Sequence, residues 1–301
     1  MLEKFKRSST AIRRPVSSIA FDLINLLLLG GIGAVMLLPF VYIFAVSFSS
    51  LHEYMASDLL LWPKEWVLDA YRYIFASDSF VRSLGVTTFV TVMGTLVNLL
   101  FTSAMAYGLT RRLPGQSFML FMVLFTILFS AGMIPTYLTI RATGLLDSLW
   151  ALIIPSAIAP FNLIVMRQFF LSIPEELNEA AFIDGANELQ TFARVILPLS
   201  KPALATFCLF YAVGHWNNYF AGILYLNDQT KWPIQVVLRQ IVVLNDPMNS
   251  LGAVEMIMEN PPPPETIQMA AILVATLPIL IVYPFLQKHF AKGVMIGSIK
   301  G

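Results

Sequence analysis

The sequence predicts an all-α membrane protein with six transmembrane helices, and three observations carry that reading. Only 12% of the 301 residues are charged while 57% are hydrophobic; soluble domains sit near one quarter charged. Six runs free of Asp, Glu, Lys and Arg stand out, at 23–52, 83–110, 113–140, 148–166, 202–227 and 266–287, and a span needs about 20 apolar residues. Hydrocarbon offers no water to backbone groups, so each run is expected to satisfy its own hydrogen bonds as a helix.

The chain opens on MLEKFKRSSTAIRRPVSS, a basic stretch that meets the first run without a small-residue cleavage site. An uncleaved first helix behind a cytoplasmic segment 1–22 is expected. With the N-terminus inside, thirteen Lys and Arg fall on inner segments and six on outer ones. That is the inward bias membrane proteins carry, and six spans then put the tail 288–301 inside as well. The net charge of +1 hides this gradient and gives no sign of nucleic-acid binding.

Around the six-helix domain 23–287, two outer loops are long. Loop 53–82 holds Trp62, Trp66, Tyr71 and Tyr73, suited to an interfacial helix or lid. Loop 228–265 holds NDPMNS and then Pro261 to Pro264, a stiff extended approach to helix six. Helix two carries Thr87, Thr91, Thr95, Asn98 and Thr102 at spacings of three and four, hence on one face. That stripe serves either helix–helix packing or the lining of a cavity. Helix three shows Phe118, Phe121, Phe125 and Phe129, a lipid-facing or packing face, and Pro135 is expected to end or kink it. The lone Cys208 excludes an intrachain disulfide and reads as packing.

The inner loop 170–200 interrupts the apolar pattern with Glu179, Asp184, Glu188 and Arg194. Ser172, Glu175 and Pro174 read as a helix start. Gly185 weakens a helix by roughly 1 kcal/mol, and Pro198 should stop one. Two short helices meeting near Gly185 along the inner membrane face are expected. Ala180, Ala181, Gly185 and Ala186 permit close approach, and the acids around them suit a cleft lined with Arg or Lys on a soluble partner. A surface helix that merely joins two spans has the same composition.

Helix five holds His215 to Tyr219, HWNNY, in the middle of its run. Polar residues at membrane depth usually face the bundle interior or a wet path. Trp216, Asn217, Asn218 and Tyr219 are the candidates for lining a pathway: rings can cover sugar faces and carboxamides can pair with hydroxyls. Interhelical hydrogen bonding is the alternative. The chain lacks G-x-x-x-x-G-K-[ST], so it holds no ordinary cradle for ATP phosphates. A secondary transporter is disfavoured because no carboxylate lies in a span core. An intramembrane enzyme built on Cys208 and His215 lacks an orienting third group.

Glu179, Ala180, Ala181, Gly185, Val195, Leu197 and Pro198 stand at the spacing E-A-A, three residues, G, nine residues, I-x-L-P. This resembles the inner loop of ABC importer membrane subunits, with Val195 where isoleucine is usual. GLLDSLWALIIP from Gly144, WNNY at Trp216 and the ending GVMIGSIKG are similar to the second permease subunit of maltose-type carbohydrate importers. PPPPETIQMAA and the tail from Gln287 resemble permeases for complex oligosaccharides.

The resemblance implies a type I ABC importer permease fold, with a coupling helix between helices four and five. It implies that Glu179, Ala180, Ala181, Asp184, Gly185 and Pro198 form the ATPase-coupling site. It implies a second permease, two ATPase subunits and an extracytoplasmic sugar-binding protein. ATP and Mg would be bound by the ATPase, with no cofactor or metal in this chain and no catalysis by it. The setting would be a prokaryotic cell membrane, and the cargo a sugar or oligosaccharide. A permease for a non-sugar solute is the alternative.

Overall fold

The computed structural model describes residues 16–57, 59–111, 113–244 and 262–298. The basic residues up to Arg14, Arg112, the NDPMNS stretch and the last three residues lie outside the described part. In order the helices are α1 Val16–Ser47, α2 Leu51–Ala56, α3 Asp69–Ala76, α4 Asp78–Gly108, α5 Gln116–Leu128, α6 Met133–Ala142 and α7 Pro160–Leu171. Then follow α8 Glu175–Ile183, α9 Glu188–Leu199, α10 Lys201–Trp216, α11 Phe220–Tyr225, α12 Ile234–Val242 and α13 Pro264–Ser298. No strand occurs among the described residues.

Three helices are long and apolar enough to cross a membrane: α1 from Phe21, α4, and α13 up to Val282. Two bent pairs raise the number to five at most. One joins the 3₁₀ turns Leu149–Ser156 to α7 at 50°, and the other joins α9 to α10 at 82°.

Three of the expected single helices are broken. The run 113–140 splits at 129–132 into α5 and α6. The break falls before Pro135, at Gly132, whose φ of 83° no continuing helix can use. Pro135 sits in the first turn of α6, where its missing N–H costs nothing. The run 148–166 starts as 3₁₀ turns around Pro155 and becomes α-helical only at Pro160. The run 202–227 stops at Trp216 and resumes at Phe220, so HWNNY straddles a helix end and does not occupy a helix middle.

α4 is the hub, packed against α7, α10 and α12, while α13 receives α1, α3, α10 and α12. The polar stripe of α4 is buried at Thr87, Thr95, Asn98 and Thr102. Thr87 Oγ1 accepts from the Ile234 N–H at 2.7 Å, and Thr102 pairs with the Tyr211 hydroxyl at 2.8 Å. The stripe thus packs helices together at Thr87 and Thr102, while Thr91 and Asn98 border cavities. One apolar cluster joins α3, the start of α4, α12 and α13 through Tyr73, Ile74, Phe80, Ile234, Ile241 and Ile267. Tyr73 is wholly buried there, so it is a core residue and not an interfacial one. A second cluster joins α4, α7, α9 and α10 through Tyr107, Leu163, Met166, Phe192 and Phe207.

In the 53–82 segment, Trp62 and Trp66 meet edge to face at 5.6 Å, and Phe44, Phe48 and Tyr71 extend the ring cluster. Beneath it the buried Glu53 carboxylate accepts the Lys64 N–H at 2.6 Å and, at 3.4 Å, that of Glu65. Elsewhere Asp147, Asp228 and Lys231 tie two loops. Asp147 Oδ1 accepts the N–H groups of Asn227 and Asp228 at 3.1 and 3.0 Å, and Lys231 Nζ meets its Oδ2 at 3.0 Å.

Candidate functional site

The loop 170–200 folds as the small residues and Gly185 direct. α8 starts after Pro174, carries Glu175 and Glu176 in its first turn, and buries none of its residues. Ser172 does not cap it: its hydroxyl donates back to the Phe169 carbonyl at 2.7 Å and closes α7. Gly185 follows at φ 83°, a left-handed conformation that costs an L side chain about 1–2 kcal/mol. α9 then restarts on a reciprocal cap. Asn187 Oδ1 accepts the Gln190 N–H at 2.9 Å, and Gln190 Oε1 accepts the Asn187 N–H at 3.0 Å. That cap is legible as Asn-x-x-Gln and was missed in the sequence. The helix passes Pro198 because residues 192–196 widen into a π turn, which absorbs the absent proline N–H. It ends one residue later, at Leu199.

One side of this hinged pair is held and the other is free. Thr191, Phe192 and Ile196 are buried below. Above, Glu179 and Asp184 are exposed, as are Leu177, Phe182, Ile183 and Leu189, with Ile183 at 86%. Arg111, at the end of α4, fastens both helices. Its Nη2 donates to Tyr107 Oη and, at 3.3 Å, to Asn178 Oδ1 on α8. Its Nε lies 3.3 Å from Glu188 Oε2 on α9 as an ion pair. Its guanidinium sits 4.5 Å over the Tyr107 ring and 5.7 Å from that of Phe182. Tyr107 Oη donates to the same Glu188 oxygen at 2.6 Å. Glu188 is therefore engaged inside the chain, which leaves Glu179 and Asp184 with the first-turn Glu175 and Glu176 as the outward acids. Arg111 itself carries no sequence signal beyond its place in the inner TRR.

The four pathway candidates do not share one cavity. Trp216 is buried, donates Nε1–H to the Ala275 carbonyl at 2.9 Å, and edges an apolar cleft of about 270 Å³ with Leu209, Val213 and Pro278. Asn218 accepts the Ala221 N–H at 3.3 Å, starting α11, and faces a second cavity of about 270 Å³. That cavity is lined by Asn98, Ser156, Asn162, Tyr211 and His215. There His215 Nε2 lies 2.7 Å from Asn98 Oδ1, and Asn98 Nδ2 donates to the Ser156 carbonyl. The His215 ring lies so close to Gly94 that a Cβ there would meet Nε2 at 2.5 Å. Asn217 and Tyr219 open instead onto a third cavity, of about 400 Å³, walled by Gln235, Leu238, Arg239 and Val242 of α12. Among the described residues no group of His, Cys, Asp and Glu has metal-site geometry.

Comparison with known proteins accords with this arrangement. Protein LplC of Bacillus subtilis is 54% identical over 283 residues, covering 93% of this chain and 95% of the relative. The polygalacturonan/rhamnogalacturonan transport system permease protein YtcP of the same organism is 54% identical over 265 residues, covering 88% and 92%. In the crystal structure of a bacterial ABC transporter involved in the import of the acidic polysaccharide alginate, one chain superposes with a TM-score of 0.86 at 38% identity. That match covers 92% of this chain and 99% of the other. Residues 22–296 match the binding-protein-dependent transport system inner membrane component family, and the chain belongs to that family.

Proposed function

We propose that this chain is one of two permease subunits of an ATP-driven oligosaccharide importer, and that α8 and α9 are its docking knob for a separate ATPase. One observation carries the reading: α8 buries none of its residues, yet Arg111, Asn178 and Glu188 hold the α8–α9 pair to the bundle. A helix pair with exposed Ile183 and Leu189 beside outward acids is built for a partner with an apolar floor and a basic rim. Glu179 pairs with a cation of that ATPase, Ala180 and Ala181 allow close approach, and Gly185 sets the angle between the two helices. Pro198, carried by its π turn, fixes where the pair meets α10.

On this reading the ATPase copies bind ATP and Mg, and their closure rocks the spans between inward- and outward-facing states. The spans number six when α5 with α6, the 3₁₀ turns with α7, and α10 with α11 each count as one interrupted crossing. Irregular backbone at membrane depth is tolerated where it lines a cavity, as the 217–219 break does. Both termini face the cytoplasm of a prokaryotic cell. Loops 53–82 and 228–265 meet a solute-binding protein outside. The names of YtcP, for polygalacturonan/rhamnogalacturonan, and of the structural neighbour, for alginate, support a carbohydrate cargo.

The test is copurification of the chain from its native membrane in mild detergent, followed by reconstitution. A second permease and an ATPase should come down with it and support ATP-dependent uptake once binding protein is added. Glu179→Ala or Gly185→Val should lose the ATPase or uncouple hydrolysis from uptake. Normal coupled uptake in both variants would reject the docking role.

A further inference from the structure

Helix α12 is two-faced. Ile234, Val237 and Ile241 are buried against α3 and α13. Gln235, Leu238, Arg239 and Val242, at helical spacing on the other side, wall the 400 Å³ cavity that Asn217 and Tyr219 enter. Arg239 stands partly exposed on this wall. Among the described residues no ion pair or hydrogen bond engages its guanidinium, and the cavity lining carries no carboxylate. The neighbours are the groups a sugar ring needs. Asn217 spends its amide N–H on the Val213 carbonyl at 3.0 Å, leaving its carbonyl oxygen open. Gln235 adds a second carboxamide, and the half-exposed Tyr219 ring offers an apolar face.

The wall is also fixed. Thr87 Oγ1 receives the first N–H of α12, and Gln268 Nε2 donates to the Ile241 carbonyl at 3.2 Å. Pro233 and Val236 press on Gly222, where a Cβ would come within 2.8 Å of Val236. Arg239 therefore stands on a rigid surface, as a specific contact requires. Of all the outer-segment cations, it is the one placed beside residues read from the sequence as pathway-lining.

The geometry points to Arg239 as the residue that receives the carboxylate of a uronate-bearing oligosaccharide, with Asn217 and Gln235 on its hydroxyls and Tyr219 under a ring. This rests on the permease reading above and names the chemical class of its cargo. A guanidinium fork suits a carboxylate bidentately. A neutral oligosaccharide would leave that cation unpaired.

The experiment uses the native importer complex in liposomes, with its own ATPase, partner permease and binding protein. Initial uptake of tetragalacturonate is measured for the native chain and for Arg239→Gln and Arg239→Lys, each checked to copurify with the same partners. Arg239→Gln should raise the KM for uptake at least about ten-fold, the loss expected for a charge-assisted contact. Arg239→Lys should recover part of it. Equal uptake by native and Arg239→Gln complexes overturns the assignment. So does a loss that falls on kcat alone, or failure of both variants to hold their partners, since either marks a structural role. If the native complex imports neutral oligosaccharides but no tetragalacturonate, the carboxylate role fails and the permease reading stands. If it imports nothing with ATP, both fail.

Discussion

Gly94→Ala isolates the contact that joins α4 to α10. A methyl at Gly94 would lie 2.5 Å from His215 Nε2, 2.6 Å from Cε1 and 2.7 Å from Cδ2. The ring cannot simply turn aside, because it is buried and lies 2.7 Å from Asn98 Oδ1. Either the helices part or the imidazole leaves Asn98. Over-packing of this kind costs about 1–3 kcal/mol, and an interhelical hydrogen bond in a membrane about 0.6–1.7 kcal/mol. Either outcome costs about 1–3 kcal/mol, which at about 1.6 °C per kcal/mol for a chain of this size lowers Tm by about 2–5 °C. Thermal unfolding of the detergent-solubilised chain measures it. The decisive comparison adds His215→Ala, which removes the ring that the methyl strikes. The double variant should be no less stable than His215→Ala alone, so the two losses should fall short of adding. Additivity within about 0.5 kcal/mol, or an unchanged Tm in Gly94→Ala, would refute the close-packing argument.

Arg111→Ala should loosen α8 and α9 together, since one guanidinium reaches Asn178 and Glu188. Amide hydrogen exchange should rise at least about ten-fold across 175–191 and stay unchanged in α12. Protection that falls in only one of the two helices would deny the clamp. The Asp147 carboxyl is held below the usual carboxylate range, first by the Asp228 N–H and then by Lys231, while Lys231 is held above the ordinary lysine value by its bond to Asp147. A lowered acid stabilises the fold above its unfolded value and loses that stability as pH falls through its folded one. A raised base is lost as pH rises through its own. The loop tie should thus hold from about pH 4 to about pH 10. The amides of Asn227 and Asp228 should lose protection below that window, and Asp147→Asn should remove the acid dependence.

The sequence carried the helical class and the positions of the apolar runs, because hydrocarbon leaves backbone only one local solution. It also located Gly185, since a left-handed residue between two amphipathic pieces is spelled by glycine. Helix breaks were the weak point. Breaks at 129–132 and 217–219 fall inside uncharged runs, where hydropathy is blind to whether a backbone continues. Pro135 looked like a stop, yet it sits in the first turn of a helix, whereas the helix carrying Pro198 does end, one residue later, after a π turn. The roles of Arg111 and Arg239 were hidden for a different reason. Arg111 bonds Asn178 and Glu188, far away in the chain, and Arg239 shares a cavity with Asn217; only packing brings such groups together.

Helix α1 bears on how such a chain evolves. From Phe21 to Val41 nearly every side chain points away from the rest of the protein. No jigsaw of neighbours reads their shapes, so exchanges among Leu, Ile, Val, Phe and Met there are close to silent for the fold. Selection on that stretch acts on oiliness and length. It acts on shape at Gly94 and Gly222, where one carbon atom is already too many. Drift should therefore run fastest along α1 and slowest at those two glycines.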